Sequence, residues 1–158
     1  MESLTELPFH LPGRVFRSAM PFSSFDPNGK LLERYLEEQV SVVVLLVSDG
    51  NCWKHSGRDL RSLYQDQGLT VIYLPIPDFG VPEQDELERD VTAALGYSLE
   101  GKNIAIHCQA GIGRTGTFAA CLAKRTLGLS GDEAIDWVRQ WIPGGIETSE
   151  QEQLVRSY

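Results

Sequence analysis

The chain has 158 residues, of which 42% are hydrophobic and 23% charged. These are the proportions of a globular domain, and they exclude disordered, collagen-like and low-complexity chains. Lys and Arg number 14 against 22 Asp and Glu, a net charge of −8, which argues against a surface for nucleic acid or anionic membrane, since both need a basic face.

One domain over 1–158 is expected, long enough to bury a core without disulfides. The longest apolar run, Val42–Val47, is too short to span a bilayer. Residues 1–20 contain Glu2, Glu6, Pro8 and Pro12 and do not read as a secretory signal. Cys52, Cys108 and Cys121 have neither CxxC nor zinc-ligand spacing, so no metal site, cofactor or disulfide scaffold is expected. A reducing, cytoplasmic setting follows.

In chain order, Gly29–Glu38 has a helical pattern. Val40–Val47 (VSVVVLLV) is continuously apolar, as a strand covered on both faces should be. A helical pattern over Gly57–Gln67 precedes a second strand, Thr70–Ile76. In Pro82–Leu99, Leu87, Val91, Ala94 and Leu95 share one helix face, and Pro82 suits the first helical position. A third strand, Asn103–His107, is followed by helices over Arg114–Leu127, Ser130–Trp141 and from Thr148 onward. Ser130 with Glu133, and Thr148 with Gln151, have capping-box spacing. This alternation predicts a three-layer α/β domain, with a central, mostly parallel twisted sheet flanked by helices. Sites in such folds lie beyond the carboxyl ends of the strands, which brings Asp49–Cys52, Pro77–Gly80 and Cys108–Arg114 to one rim.

The stretch His107–Thr117 (HCQAGIGRTGT) links a buried strand to an apolar helix. Such a turn aims successive backbone N–H groups into an anion nest at a helix N-terminus. It lacks the GK[ST] of a nucleotide-binding loop; a cysteine opens it and an arginine closes it. A thiol in that position favours its thiolate form and acts as a nucleophile. Gln109, Ala110, Gly111, Ile112, Gly113 and Arg114 would hold a phosphoryl group, with the Arg114 fork spanning two of its oxygens. The Thr115 hydroxyl is suited to stabilise the departing sulfur, and His107 to fix the loop backbone. An ester leaving group also needs a proton, and Asp78, in the loop after the second strand, is the candidate acid. His10 and His55 read as surface residues.

HCQAGIGRTGT resembles the HCxxGxxR[ST] motif of cysteine-dependent protein phosphatases. The wider chain is similar to the small atypical dual-specificity phosphatases that consist of a catalytic domain alone. LPGRVFRSAMP, IPDFGVP and GGIETSEQEQLV, in that order, support the likeness. It implies a cysteinyl-phosphate intermediate, with Asp78 in the family's IPD loop as general acid. It also implies that Asp49 pairs with the loop arginine, and that either Glu147 or Gln151 orients the hydrolytic water. Glu147 departs from the glutamine that larger tyrosine phosphatases carry there. Related enzymes sometimes pair a cysteine near Cys52 with the catalytic one in a protective disulfide.

Gln109, Ala110 and Ile112 are uncharged, which disfavours multiply phosphorylated inositols. No tyrosine-recognition segment is evident before Pro8, so a shallow pocket is expected. Phosphotyrosine, with phosphoserine and phosphothreonine as further possibilities, on a protein or peptide is the expected substrate, acted on by a monomer. A phosphate-binding module without turnover and a rhodanese-like sulfurtransferase are the alternatives; Asp78 argues against the first and Arg114 against the second.

Overall fold

The computed structural model describes residues 3–158. Its elements are β1 (Leu4–Leu7), β2 (Val15–Ser18), α1 (Lys30–Glu37), β3 (Val40–Leu45), α2 (Asp49–Ser56), α3 (Leu60–Asp66) and β4 (Thr70–Tyr73). They continue with α4 (Gln84–Leu99), β5 (Asn103–His107), α5 (Gly113–Leu127), α6 (Gly131–Trp141) and α7 (Ser149–Ser157). The five strands form one sheet in the order β1-β2-β5-β3-β4, with β1 antiparallel to β2 and every other pair parallel. The mostly parallel α/β architecture expected from the sequence is what forms.

Hydrophobic burial explains the order of the layers. In β3, Val40, Val42, Val43, Val44 and Leu45 are all buried, so both faces of the strand must be covered. Residues 113–123, the first three turns of α5, are buried without interruption. A helix apolar all round belongs in the interior, and α5 packs between α4, α6, α7 and β5. Both capping boxes form, at Ser130–Glu133 and Thr148–Gln151.

The departures are local. β1 and β2 carry no strand signal in the sequence, because each has four residues and neither alternates cleanly in hydrophobicity. Pro75 truncates the second predicted strand, since proline cannot donate to a ladder. The chain still follows β3, with Leu74 N donating to Leu45 O at 3.0 Å and Ile76 N to Leu46 O at 3.1 Å. Asp49–Cys52 is not a loop but the first turn of α2, capped by the Ser48 hydroxyl, which accepts from Asn51 N. Gly57, left-handed at φ 68°, closes α2, and α3 starts only after Asp59 caps it. Pro82 falls outside α4, whose cap is Glu83.

Candidate active site

The carboxyl ends of β3, β4 and β5 converge on the loop between β5 and α5. Cys108 follows the last residue of β5 and is 2% exposed. Gly111 N donates to Cys108 Sγ at 3.3 Å, so the sulfur faces the inward-turned amides. Gly111 is left-handed at φ 77°, and a Cβ there would lie 2.3 Å from Ser18 O. Only glycine meets both demands. At Gly113 a Cβ would come within 2.2 Å of Glu147 Oε1, so the missing side chain lets that carboxylate reach the first turn of α5. Met20 N donates to Gln109 O at 2.9 Å, tying the loop to the segment after β2.

Arg114 is 4% exposed; its Nη1 donates to Ile76 O at 2.9 Å, and its Nη2 lies 3.3 Å from Asp78 Oδ1. The arginine that closes the loop is thus held by the backbone leading to the acid loop and by the acid itself. Asp78 lies in a turn closed by Gly80 N donating to Pro77 O at 2.8 Å. Phe79, at φ 61°, occupies the left-handed region that non-glycine residues adopt at a cost. The residue is 56% exposed.

These groups surround a cleft of about 130 Å³ lined by Cys108, Arg114, Gln109 and Ala110 together with Phe25, Phe79, Asp78 and Glu147. Arg114 is its one cationic lining residue, against two carboxylates.

The structure separates Glu147 from Gln151. Glu147 lines the cleft. Gln151 is fully buried, its Oε1 accepting from Glu147 N at 2.8 Å and Thr148 N at 3.3 Å while its Nε2 donates to Gly80 O at 3.1 Å. Its amide therefore straps the acid loop to the start of α7 and is not turned into the cleft. Thr148 Oγ1 adds a bond to Phe79 O at 3.4 Å. Thr115 is fully buried, and its Oγ1 has no hydrogen-bond partner among the described residues, Cys108 Sγ included.

Asp49 does not pair with Arg114. Its carboxylate binds Arg61, whose guanidinium also lies over the Tyr73 ring at 4.0 Å. The reason is the unread α2: at the start of a helix, with its backbone N bonded to the Tyr73 hydroxyl at 3.0 Å, the side chain meets α3 instead. His55 is half-buried, and its Nδ1 lies 3.3 Å from Gln109 Nε2. Three residues further on, Arg58 lies over the Phe22 ring at 4.0 Å. Cys52 is buried with its Sγ 3.8 Å from Val47 O, and desolvation pushes the thiol up to about 12. All three cysteines are free.

His107 is fully buried. Its Nδ1 lies 2.9 Å from Cys108 O, an atom that only accepts, so the proton is on Nδ1; Nε2 then accepts from the Tyr64 hydroxyl at 2.8 Å. Burial pushes the imidazole from 6.5 down to about 4. Between those values the unfolded chain takes up a proton here that the folded chain refuses, so stability is full above pH 6.5 and drains as the pH falls. The expected loss by about pH 5 is about 2 kcal/mol. Denaturant midpoints between pH 7 and about 5 check this, and His107→Asn should flatten the slope in that window. Equal slopes in the two proteins would dismiss it.

Among the described residues, the sequence missed Arg17. Its Nε donates to Gly111 O at 3.1 Å and its Nη2 to Gly111 O and, at 3.3 Å, to Ala110 O. The only sequence signal was its place in LPGRVFRSAMP.

A cysteine that opens an amide nest, an arginine that closes it and a carboxylate facing both, all at the carboxyl edge of a parallel sheet, define a cysteine-loop phosphatase-type domain. The chain belongs to the family described as "Polymorphic toxin system, DSP-PTPase phosphatase", whose model matches residues 25–127. It is 40% identical over 156 residues to the tyrosine-protein phosphatase cdc-14 of Caenorhabditis elegans, covering 92% of this chain and 20% of that protein. It is 27% identical over 152 residues to protein tyrosine phosphatase domain-containing protein 1 of Mus musculus, covering 91% of this chain and 20% of the relative. The chain therefore spans a fifth of the length of either relative. Among solved structures, Tk-PTP in its active form superposes with a TM-score of 0.76 at 31% identity, covering 97% of this chain and 95% of that one. Kinase associated phosphatase superposes at 0.89 with 22% identity, over 99% and 93% of the two chains, a likeness of fold. No helix among the described residues is long and apolar enough to cross a membrane.

Proposed function

We propose that the chain is a single-domain protein phosphatase that hydrolyses phosphotyrosine through a cysteinyl-phosphate intermediate, with phosphoserine and phosphothreonine as weaker substrates. The observation that carries this reading is the placement of Cys108 Sγ under the Gly111 amide, with Arg114 and Asp78 paired across the same cleft.

The Cys108 thiolate attacks phosphorus, and the bond from phosphorus to the ester oxygen breaks. Protonated Asp78 gives its proton to that oxygen. Arg114 and the loop amides from Gln109 to Arg114 hold the three equatorial oxygens as charge develops on them. The Arg114 guanidinium that lies 3.3 Å from Asp78 Oδ1 is also the fork suited to two phosphoryl oxygens, so the acid loop and the phosphoryl group share one anchor. In the second step water attacks phosphorus, Asp78 takes its proton, and the S–P bond breaks. The otherwise unpartnered Thr115 hydroxyl is available to the departing sulfur.

Glu147, in the cleft wall, is the residue suited to orient that water. Gln151 acts through the strap to Gly80. The exposed Phe25 and Phe79 that line the cleft favour an aryl phosphate, and two carboxylates against one arginine disfavour ligands carrying several phosphates. The three free cysteines fit a reducing cytoplasm, and the acidic surface fits a monomer that binds no nucleic acid.

Rapid acid quench during turnover of a phosphotyrosyl peptide tests the route. Phosphate should be found on the Cys108 peptide by mass spectrometry. Turnover with no phosphorylated residue at times shorter than one cycle would rule the covalent path out.

A further inference from the structure

We infer that Arg17 is a positioning residue of the catalytic loop, which clamps the loop's outer carbonyls so that its amides turn inward onto sulfur and phosphate. The inference rests on the reading of Cys108 as nucleophile and extends it to a residue the motif does not contain.

The geometry follows from peptide planarity. In a trans peptide the C=O of one residue and the N–H of the next point in opposite directions. Arg17, on β2, holds the oxygens of Ala110 and Gly111. The partners of those two carbonyls are the N–H groups of Gly111 and Ile112, which must then face the other way, into the nest. The first of them does so visibly, donating to Cys108 Sγ at 3.3 Å. The clamp is also the reason for glycine at 111: a Cβ there would sit 2.5 Å from Arg17 Nη2.

Arg17 is half-buried, and no carboxylate pairs with it among the described residues. Arginines withdrawn from water usually have an anionic partner. Here the acceptors are backbone oxygens, and the nearby anion would be the sulfur of Cys108. Burial lowers the basicity of Arg17, and the Cys108 charge acts in the opposite direction. The charged groups around Sγ are then Arg114, Asp78 and Glu147 at the cleft and Arg17 behind the loop, with His107 neutral beside it. Arg17 therefore supplies orientation and a second positive charge from the side that substrate never touches.

Arg17→Met and Arg17→Lys test this, with orthovanadate affinity, the rate of Cys108 alkylation by iodoacetamide and the melting temperature measured for each. Arg17→Met should weaken vanadate binding and slow phosphotyrosyl turnover by about 10- to 100-fold, the range for removing a support behind reacting groups. Lysine carries the charge but cannot fork across two carbonyls, so Arg17→Lys should recover alkylation more than vanadate affinity while keeping the fold. If wild-type protein neither binds vanadate nor is alkylated at Cys108, the phosphatase reading itself fails. If wild type does both and the two variants match it, Arg17 has no positioning role. A loss of affinity in the Met variant that only accompanies unfolding, with the Lys variant equal to wild type in every measurement, would also overturn the inference.

Discussion

Cys108→Ser is expected to lower turnover of an aryl phosphate by at least about 10⁴-fold, the scale on which removing a covalent nucleophile acts, while phosphorylated ligand still binds. The two results separate because different atoms produce them. Binding depends on the Arg114 fork and the loop amides, and these are fixed by backbone contacts to Ile76 and Met20 that a serine leaves intact. Attack depends on an ionised atom at the mouth of the nest, and a hydroxyl does not ionise there as a thiol does. Neither remaining cysteine is a substitute: Cys52 and Cys121 are buried, and desolvation pushes both thiols up to about 12. Steady-state hydrolysis and equilibrium binding of a phosphotyrosyl peptide to the same variant check both halves. Retention of a tenth or more of wild-type turnover would remove Cys108 from the mechanism.

The parts of this site that were legible in the sequence are those whose chemistry is local. The nest needs glycines, a thiol and a guanidinium within one short stretch, so HCQAGIGRTGT disclosed strand, turn and helix start together. The continuous apolar run of β3 likewise dictates a buried strand whatever surrounds it. What stayed hidden depends on partners distant in the chain. Arg17 reaches Gly111 across 94 residues of sequence, and β2 is too short to announce its own strand character. Asp49 was assigned to the wrong arginine because a turn of helix, started by the Ser48 cap, swings it toward Arg61. Glu147 and Gln151 were indistinguishable as letters. Burial separates them: the amide of Gln151 is spent on Gly80 and two backbone N–H groups, whereas Glu147 borders the cleft.

Asp78→Asn should reduce the rate on phosphotyrosyl peptide by about 10²- to 10⁴-fold, the usual contribution of a positioned acid, and much less on an activated aryl phosphate. A phenolate with a good electron sink departs without help, so an asparagine that donates no proton costs little there. Tyrosine is a poorer leaving group and waits for the acid. The substitution keeps the size of the side chain, and its amide oxygen can still accept from Phe79 N, the bond that Oδ1 accepts at 3.0 Å. The ion pair with Arg114 at 3.3 Å is lost, but Arg114 remains anchored to Ile76 O and the acid loop remains strapped to Gln151. Loss of loop order would slow both substrates alike. A wide gap between them instead isolates proton transfer. Equal losses on the two esters would mean that another group protonates the leaving oxygen, and Glu147, the second carboxylate in the cleft, would be the residue to replace next.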